Sequence, residues 1–149
     1  MAPEDVRHAI DKVTATGNER VIVTERGVSF GYHNLVVDMR AFPIMRRFGY
    51  PVVYDVTHSL QLPGAGDACT AGQPELIEPM ACAGVGAGVD GVFMEVHERP
   101  EAARSDGQNA LRLDLLPPLL DRLVRIHAIA RERTAVLEAP GLGGASSRT

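Results

Sequence analysis

Apolar Val6, Ile10 and Val13 recur at helical spacing and Gly17 follows as a stop signal, so the pattern predicts a short opening helix. Residues 21–24, Val-Ile-Val-Thr, form a continuous apolar, β-branched run of the kind a buried parallel strand requires. Polarity returns abruptly at Glu25, Arg26 and Gly27, and residues 28–34 read as a loop. Pro43 is placed to open a short helix through Ile44 and Met45 that stops near Gly49. The alternation then repeats. Residues 51–54 read as a strand that ends in Asp55, Thr57 and His58. A glycine-rich loop (Gly64, Gly66, Gly72) leads to a helix of small residues from Glu75 to about Gly86. Residues 91–94 form a third strand running into Glu95 and His97, and a loop with Ser105, Asp106 and Gly107 follows. A long helix is predicted from Asp114, as N-cap, to about Leu137, with Pro117 and Pro118 in its first turn. Leu120, Leu123 and residues 126–129 mark its buried face. Residues 140–149 are rich in Gly and Ser and predict a disordered tail behind one folded unit at 1–139.

Strand, loop and helix in succession, three times over, imply parallel strands with right-handed crossovers, hence an α/β fold. An open doubly wound sheet and part of a (β/α)8 barrel both satisfy the pattern. In either, chemistry gathers at the carboxyl ends of the strands, where Arg26, His58 and Glu95 fall.

Composition narrows the function classes. The chain has 149 residues, 45% of them apolar and 23% charged, so it suits a packed domain and not a charged disordered tail. Its net charge is −4 and it has no Trp, which argues against a nucleic-acid binder. No apolar run approaches the roughly 20 residues of a membrane span. Without a basic, then apolar, N-terminal leader the expected location is cytoplasmic. Cys69 and Cys82 have neither CxxC spacing nor disulfide-scaffold density, and Cys82 reads as a small packing residue. Lys12 is the chain's single lysine.

His58, Glu95 and Asp106 offer one ring nitrogen and two carboxylates from neighbouring strand ends, a donor set suited to zinc or another divalent transition metal. Each also has a plain structural alternative: a strand-end cap for His58, an arginine partner for Glu95, a turn for Asp106. Arg26 could grip a phosphate or carboxylate, with Gly27 allowing close backbone approach, or could pair with Glu25. The glycine-rich stretch lacks the Gly-Lys-Ser/Thr of a P-loop and reads as an active-site loop. His97 shares the side of Glu95 if the strand persists, and reads as a structural histidine or a partner of the Glu95 carboxylate. His8, His33 and His127 have no partner pattern.

Residues 25–40, Glu-Arg-Gly-Val-Ser-Phe-Gly-Tyr-His-Asn-Leu-Val-Val-Asp-Met-Arg, resemble the segment after the sixth barrel strand of 3-deoxy-D-manno-octulosonate 8-phosphate synthases. Residues 55–64, Asp-Val-Thr-His-Ser-Leu-Gln-Leu-Pro-Gly, are similar to the end of that family's seventh strand. Residues 93–97 and 105–107 are similar to the eighth strand and its loop, and the match is collinear from about Pro3 to Arg133. The resemblance implies the C-terminal half of a (β/α)8 barrel, three βα units preceded by a helix. It also implies an enzyme, a transferase that joins phosphoenolpyruvate to arabinose 5-phosphate. The products are phosphate and 3-deoxy-octulosonate 8-phosphate, a precursor of lipopolysaccharide. By position, Arg26 would hold the phosphoenolpyruvate phosphate, Asn34 and Gln61 would line the pocket, and His58 and Asp106 would serve catalysis. His58, Glu95 and Asp106 would be the metal ligands in metal-dependent members (Fe, Zn or Mn), and members of the other class use no metal. Homotetramers are the family's assembly.

The same resemblance marks departures. The family's phosphoenolpyruvate-gripping lysines, its Asn-Arg-Ser segment and its fourth metal-position residue belong to an N-terminal half that this chain does not match. Where members read Ser-Gly-Gly-x-Arg, residues 70–74 are Thr-Ala-Gly-Gln-Pro; Gln108 replaces a proline, and Val96 a smaller or hydroxyl residue. Activity is therefore expected only together with an N-terminal half. The alternatives are a non-catalytic remnant, an anion-binding partial barrel, and a related 3-deoxy-heptulosonate 7-phosphate synthase.

Overall fold

The computed structural model describes residues 1–29, 34–62 and 71–132. Gly64, Gly66, His33, Cys69 and the expected tail at 140–149 lie outside the described residues. A 3-10 turn, Pro3–Asp5, enters helix α1, Val6–Thr14, which buries Ile10 but leaves Val13 exposed. Strand β1, Val23–Glu25, follows two residues later than the apolar run begins, and Ile22 stays 65% exposed. Part of the expected loop is a small antiparallel pair, β2 (Val28–Ser29) with β3 (Leu35–Val36).

Helix α2, Ala41–Arg46, starts two residues before Pro43. Pro43 therefore sits within the first turn instead of opening it. Its missing N–H costs nothing there, because first-turn donors lack intrahelical acceptors. Strand β4, Val52–Asp55, passes directly into the short helix α3, Val56–Ser59. Next come the antiparallel strands β5 (Gln61–Leu62) and β6 (Ala71–Gly72), and a 3-10 turn in which Pro74 leads. Helix α4, Ile77–Gly86, and strand β7, Gly91–Phe93, complete the second strand-to-strand crossover. Strand β8, Val96–His97, pairs in parallel with β9, Leu111–Arg112, and helix α5, Leu116–Arg131, ends the described chain.

Strands β1, β4 and β7 form one parallel sheet in that order, with Glu25 opposite Tyr54 and Asp55 opposite Phe93. This register brings the three strand ends to the same edge. The expected α/β class with parallel strands and crossover helices holds. The core lies on β4. Tyr54 and Phe42 are fully buried, with ring centroids 5.2 Å apart, each worth about 1.5–3 kcal/mol of burial. A Cβ added at Gly84 of α4 would lie 2.5 Å from the Tyr54 ring, so only glycine lets the helix approach this strand.

The last helix differs from expectation in two ways. Asp114 is not its N-cap: a 3-10 turn, Leu113–Leu115, intervenes, and the Asp114 carboxylate takes the Arg112 guanidinium at 2.6 and 2.7 Å. The buried face is Leu119 and Leu123 with Ile126 partly covered, while Leu120 and Ile129 face outward. The helix accordingly begins at Leu116, with Leu115 in the cap position. Among the described residues, no helix is long and apolar enough to cross a membrane.

Candidate active site

The site begins where β4 ends. The Asp55 carboxylate caps α3 by accepting the His58 backbone N–H at 3.0 Å, and its other oxygen lies 2.8 Å from His58 Nδ1. One carboxylate thus fixes both the backbone and the ring of His58. With Nδ1 bonded to Asp55, Nε2 is the ring nitrogen left facing the cluster, 3.3 Å from Glu95 Oε1. Phe93 stacks on the other side of the imidazole, centroids 5.8 Å apart and planes inclined by 23°.

Glu95 follows β7 and is held from outside its own strand. Its N–H donates to the buried Thr57 Oγ1 at 2.7 Å, and its carbonyl accepts from Leu111 N–H at 2.8 Å. Asp106 occupies the left-handed backbone region, φ 51°, a conformation that a non-glycine residue adopts only when its surroundings impose it. The turn is nevertheless more than a turn: Asp106 Oδ1 accepts from Gln61 Nε2 at 3.2 Å. Gln61 Oε1 in turn accepts from Arg26 Nη2 at 2.8 Å. Arg26 is therefore not paired with Glu25, whose carboxylate accepts from the Gly27 N–H.

Donor atoms of His58, Glu95 and Asp106 all lie within 4.8 Å of one another, and all three residues are half-buried. Ligand atoms at metal–donor distances of about 2.1 Å stand roughly 3.0–3.4 Å apart in octahedral or tetrahedral geometry, which the 3.3 Å contact between His58 and Glu95 matches. Three carboxylates, Asp55, Glu95 and Asp106, lie around one histidine, and the exposed Arg26 is reached through Gln61. The donor set and its charge both suit a divalent cation.

Five of the six sequence-predicted residues, Arg26, His58, Gln61, Glu95 and Asp106, are joined directly or through one another. Asn34 is not: its Oδ1 is buried without a partner among the described residues, and no hydrogen bond there links it to the cluster. His97 turns away from Glu95 and accepts the Arg99 N–H on Nδ1 at 3.0 Å, as a structural histidine. Asp55, Thr57 and Phe93 were not singled out as site residues from the pattern, although an Asp three residues before a His at a strand end is a local cap that could have signalled the first. Beneath the site, burial holds the Tyr54 phenol above its ordinary value, against the lowering effect of its bond to Ser59 Oγ at 2.9 Å. Burial likewise raises the Cys82 thiol, in keeping with a packing role.

Residues 1–128 match a family model described as the DAHP synthetase I family. The chain is 55% identical over 132 residues to the 2-dehydro-3-deoxyphosphooctonate aldolase of a Geobacter species, covering 89% of this chain and 48% of that protein. It is 56% identical over 131 residues to the enzyme of the same name from Geobacter sulfurreducens, and 55% identical over 131 residues to that of Trichlorobacter lovleyi, covering 88% of this chain and 48% of each. The chain spans about half the length of the curated relatives it matches.

Proposed function

The chain belongs to the DAHP synthetase I family, and from that premise we propose that it supplies the C-terminal half of a (β/α)8 barrel that condenses phosphoenolpyruvate with D-arabinose 5-phosphate. The products are 3-deoxy-D-manno-octulosonate 8-phosphate and phosphate. The relatives' shared name points to the eight-carbon product over the seven-carbon one. The observation that carries the proposal is the convergence of His58, Glu95 and Asp106 within 4.8 Å, beside Arg26 and Gln61.

In this proposal Arg26 binds the phosphoenolpyruvate phosphate, its remaining N–H groups being open to an anion. Gln61 keeps Arg26 and Asp106 at fixed spacing, and Asn34 lines the pocket from the β2–β3 pair. His58, Glu95 and Asp106 hold a divalent metal (Fe, Zn or Mn), with Asp55 fixing which histidine nitrogen is offered. When bound, such a metal supplies Lewis acidity that orients water or polarises the sugar aldehyde. Joining two phosphorylated substrates against their mutual repulsion requires fixed positive charge and an oriented aldehyde. The remaining groups come from the half of the relatives that this chain does not span, supplied in trans, and the assembly is a homo-oligomer like the tetramer of the family. A cytoplasmic setting fits substrates of this kind.

The test is phosphate release from the substrate pair. The chain alone should give none. The chain mixed with the N-terminal half of a relative, in the presence of Mn2+, should turn over. His58→Ala or Arg26→Ala should each lower that turnover by roughly 100-fold or more. Restored turnover indifferent to both substitutions would reject the site, and no turnover in any mixture would favour a non-catalytic remnant.

A further inference from the structure

We propose that Asn109 is a positioning residue for the candidate metal carboxylates, an uncharged spacer between the β5–β6 pair and the segment that carries Asp106 and Glu95. The inference deepens the metal-site proposal and takes its functional weight from it.

Asn109 is 1% exposed, and neither its Oδ1 nor its Nδ2 has a hydrogen-bond partner among the described residues. Burying an unpaired amide costs about 1–3 kcal/mol per group, so stability alone does not explain an asparagine here. Its neighbour supplies the explanation. A Cβ added at Gly72 would lie 1.7 Å from Asn109 Oδ1 and 2.3 Å from its Cγ, so the amide rests directly on the β6 backbone. Gly72 stands opposite Gln61 in the β5–β6 register, and Gln61 bonds Asp106 on one side and Arg26 on the other.

The backbone at and just after Asn109 is anchored to the backbone of the two carboxylate residues. Its N–H donates to the Asp106 carbonyl at 2.8 Å, closing the turn that holds Asp106 left-handed. Two residues on, Leu111 N–H donates to the Glu95 carbonyl at 2.8 Å. The thickness of one side chain therefore sets how far the Gln61 strand stands from Asp106 and Glu95.

Gly72 offers a complementary test, because a methyl group there meets the Asn109 amide and also approaches the Gln108 backbone carbonyl oxygen at 2.7 Å, and truncating Asn109 relieves the first of these clashes. Two readouts apply to folded protein: the Gln61 side-chain amide resonance, which needs no metal, and the affinity and visible absorption of Co2+. Asn109→Ala should shift the Gln61 resonance and weaken Co2+ roughly tenfold with an altered spectrum, as supporting residues of metal sites do. Gly72→Ala should do the same by overfilling. The double variant relieves the clash with the amide but keeps the approach to the Gln108 carbonyl, so it should regain part of both, a non-additive result. If Asn109→Ala does not fold, Asn109→Ser is read in the same way. Singles that merely add, or an unmoved Gln61 resonance in a destabilised Asn109→Ala, would overturn the spacer role. A wild-type chain that binds no Co2+ while the Gln61 resonance behaves as expected would reject the metal site and leave the spacer standing.

Discussion

Strands β4 and β7 lie side by side in one sheet, yet they hold the candidate site residues by different means. In β4, Val52 and Tyr54 are wholly buried, the strand is bonded on both sides, and its end passes straight into the turn that Asp55 caps. In β7, Phe93 is 44% exposed and the sheet supplies one neighbour among the described residues. His58 is accordingly fixed by its own strand's continuation. Glu95 is fixed by a hydroxyl borrowed from Thr57 and an amide borrowed from Leu111. A central strand carries its site residue by packing, whereas a flanking strand needs cross-bonds from the centre.

Three substitutions would break or sharpen that contrast. Gly84→Ala drives a methyl into the Tyr54 ring and should cost about 1–3 kcal/mol, although alanine is the better helix former by about 1 kcal/mol. Unchanged urea denaturation would mean that the centre is not tightly packed. Tyr54→Phe removes the bond to Ser59 and should cost about 1 kcal/mol at neutral pH. It should also soften the alkaline fall in stability. A buried phenol raised above its ordinary 10.0 binds its proton more tightly folded than unfolded, so its contribution is present below pH 10.0 and lost as pH climbs from there. Tyr50, raised by its bond to Glu19, would account for part of the fall that remains. An identical alkaline slope in Tyr54→Phe would remove Tyr54 as a cause. Ile22→Thr, just ahead of the flanking strand β1, should change stability by less than about 0.5 kcal/mol. A loss above 1 kcal/mol would show that this edge is packed in solution.

The sequence made the three long strands legible because a buried parallel strand needs an uninterrupted apolar run, as at residues 52–54. It hid the two-residue pairs, whose length carries no periodicity, and misplaced part of the face of α5, where Leu119 is buried in place of Leu120. The site divides the same way. The Asp55 cap on His58 is local and could be read three residues apart. The contacts of Gln61 with Arg26 and Asp106 span 35 and 45 positions, beyond any spacing rule; Arg26 and Asp106 stand out by their place at strand ends and loops, whereas Gln61 is legible only through the family resemblance. Asn109 left no trace, since an amide acting through its bulk looks like any loop asparagine.

The amide of Gln61 has one more effect. Touching a guanidinium with its oxygen and a carboxylate with its nitrogen, it works as an insulator between opposite charges that would otherwise quench each other. The guanidinium and the carboxylate thus stand as two separate poles, kept apart by a neutral link that cannot itself be titrated away.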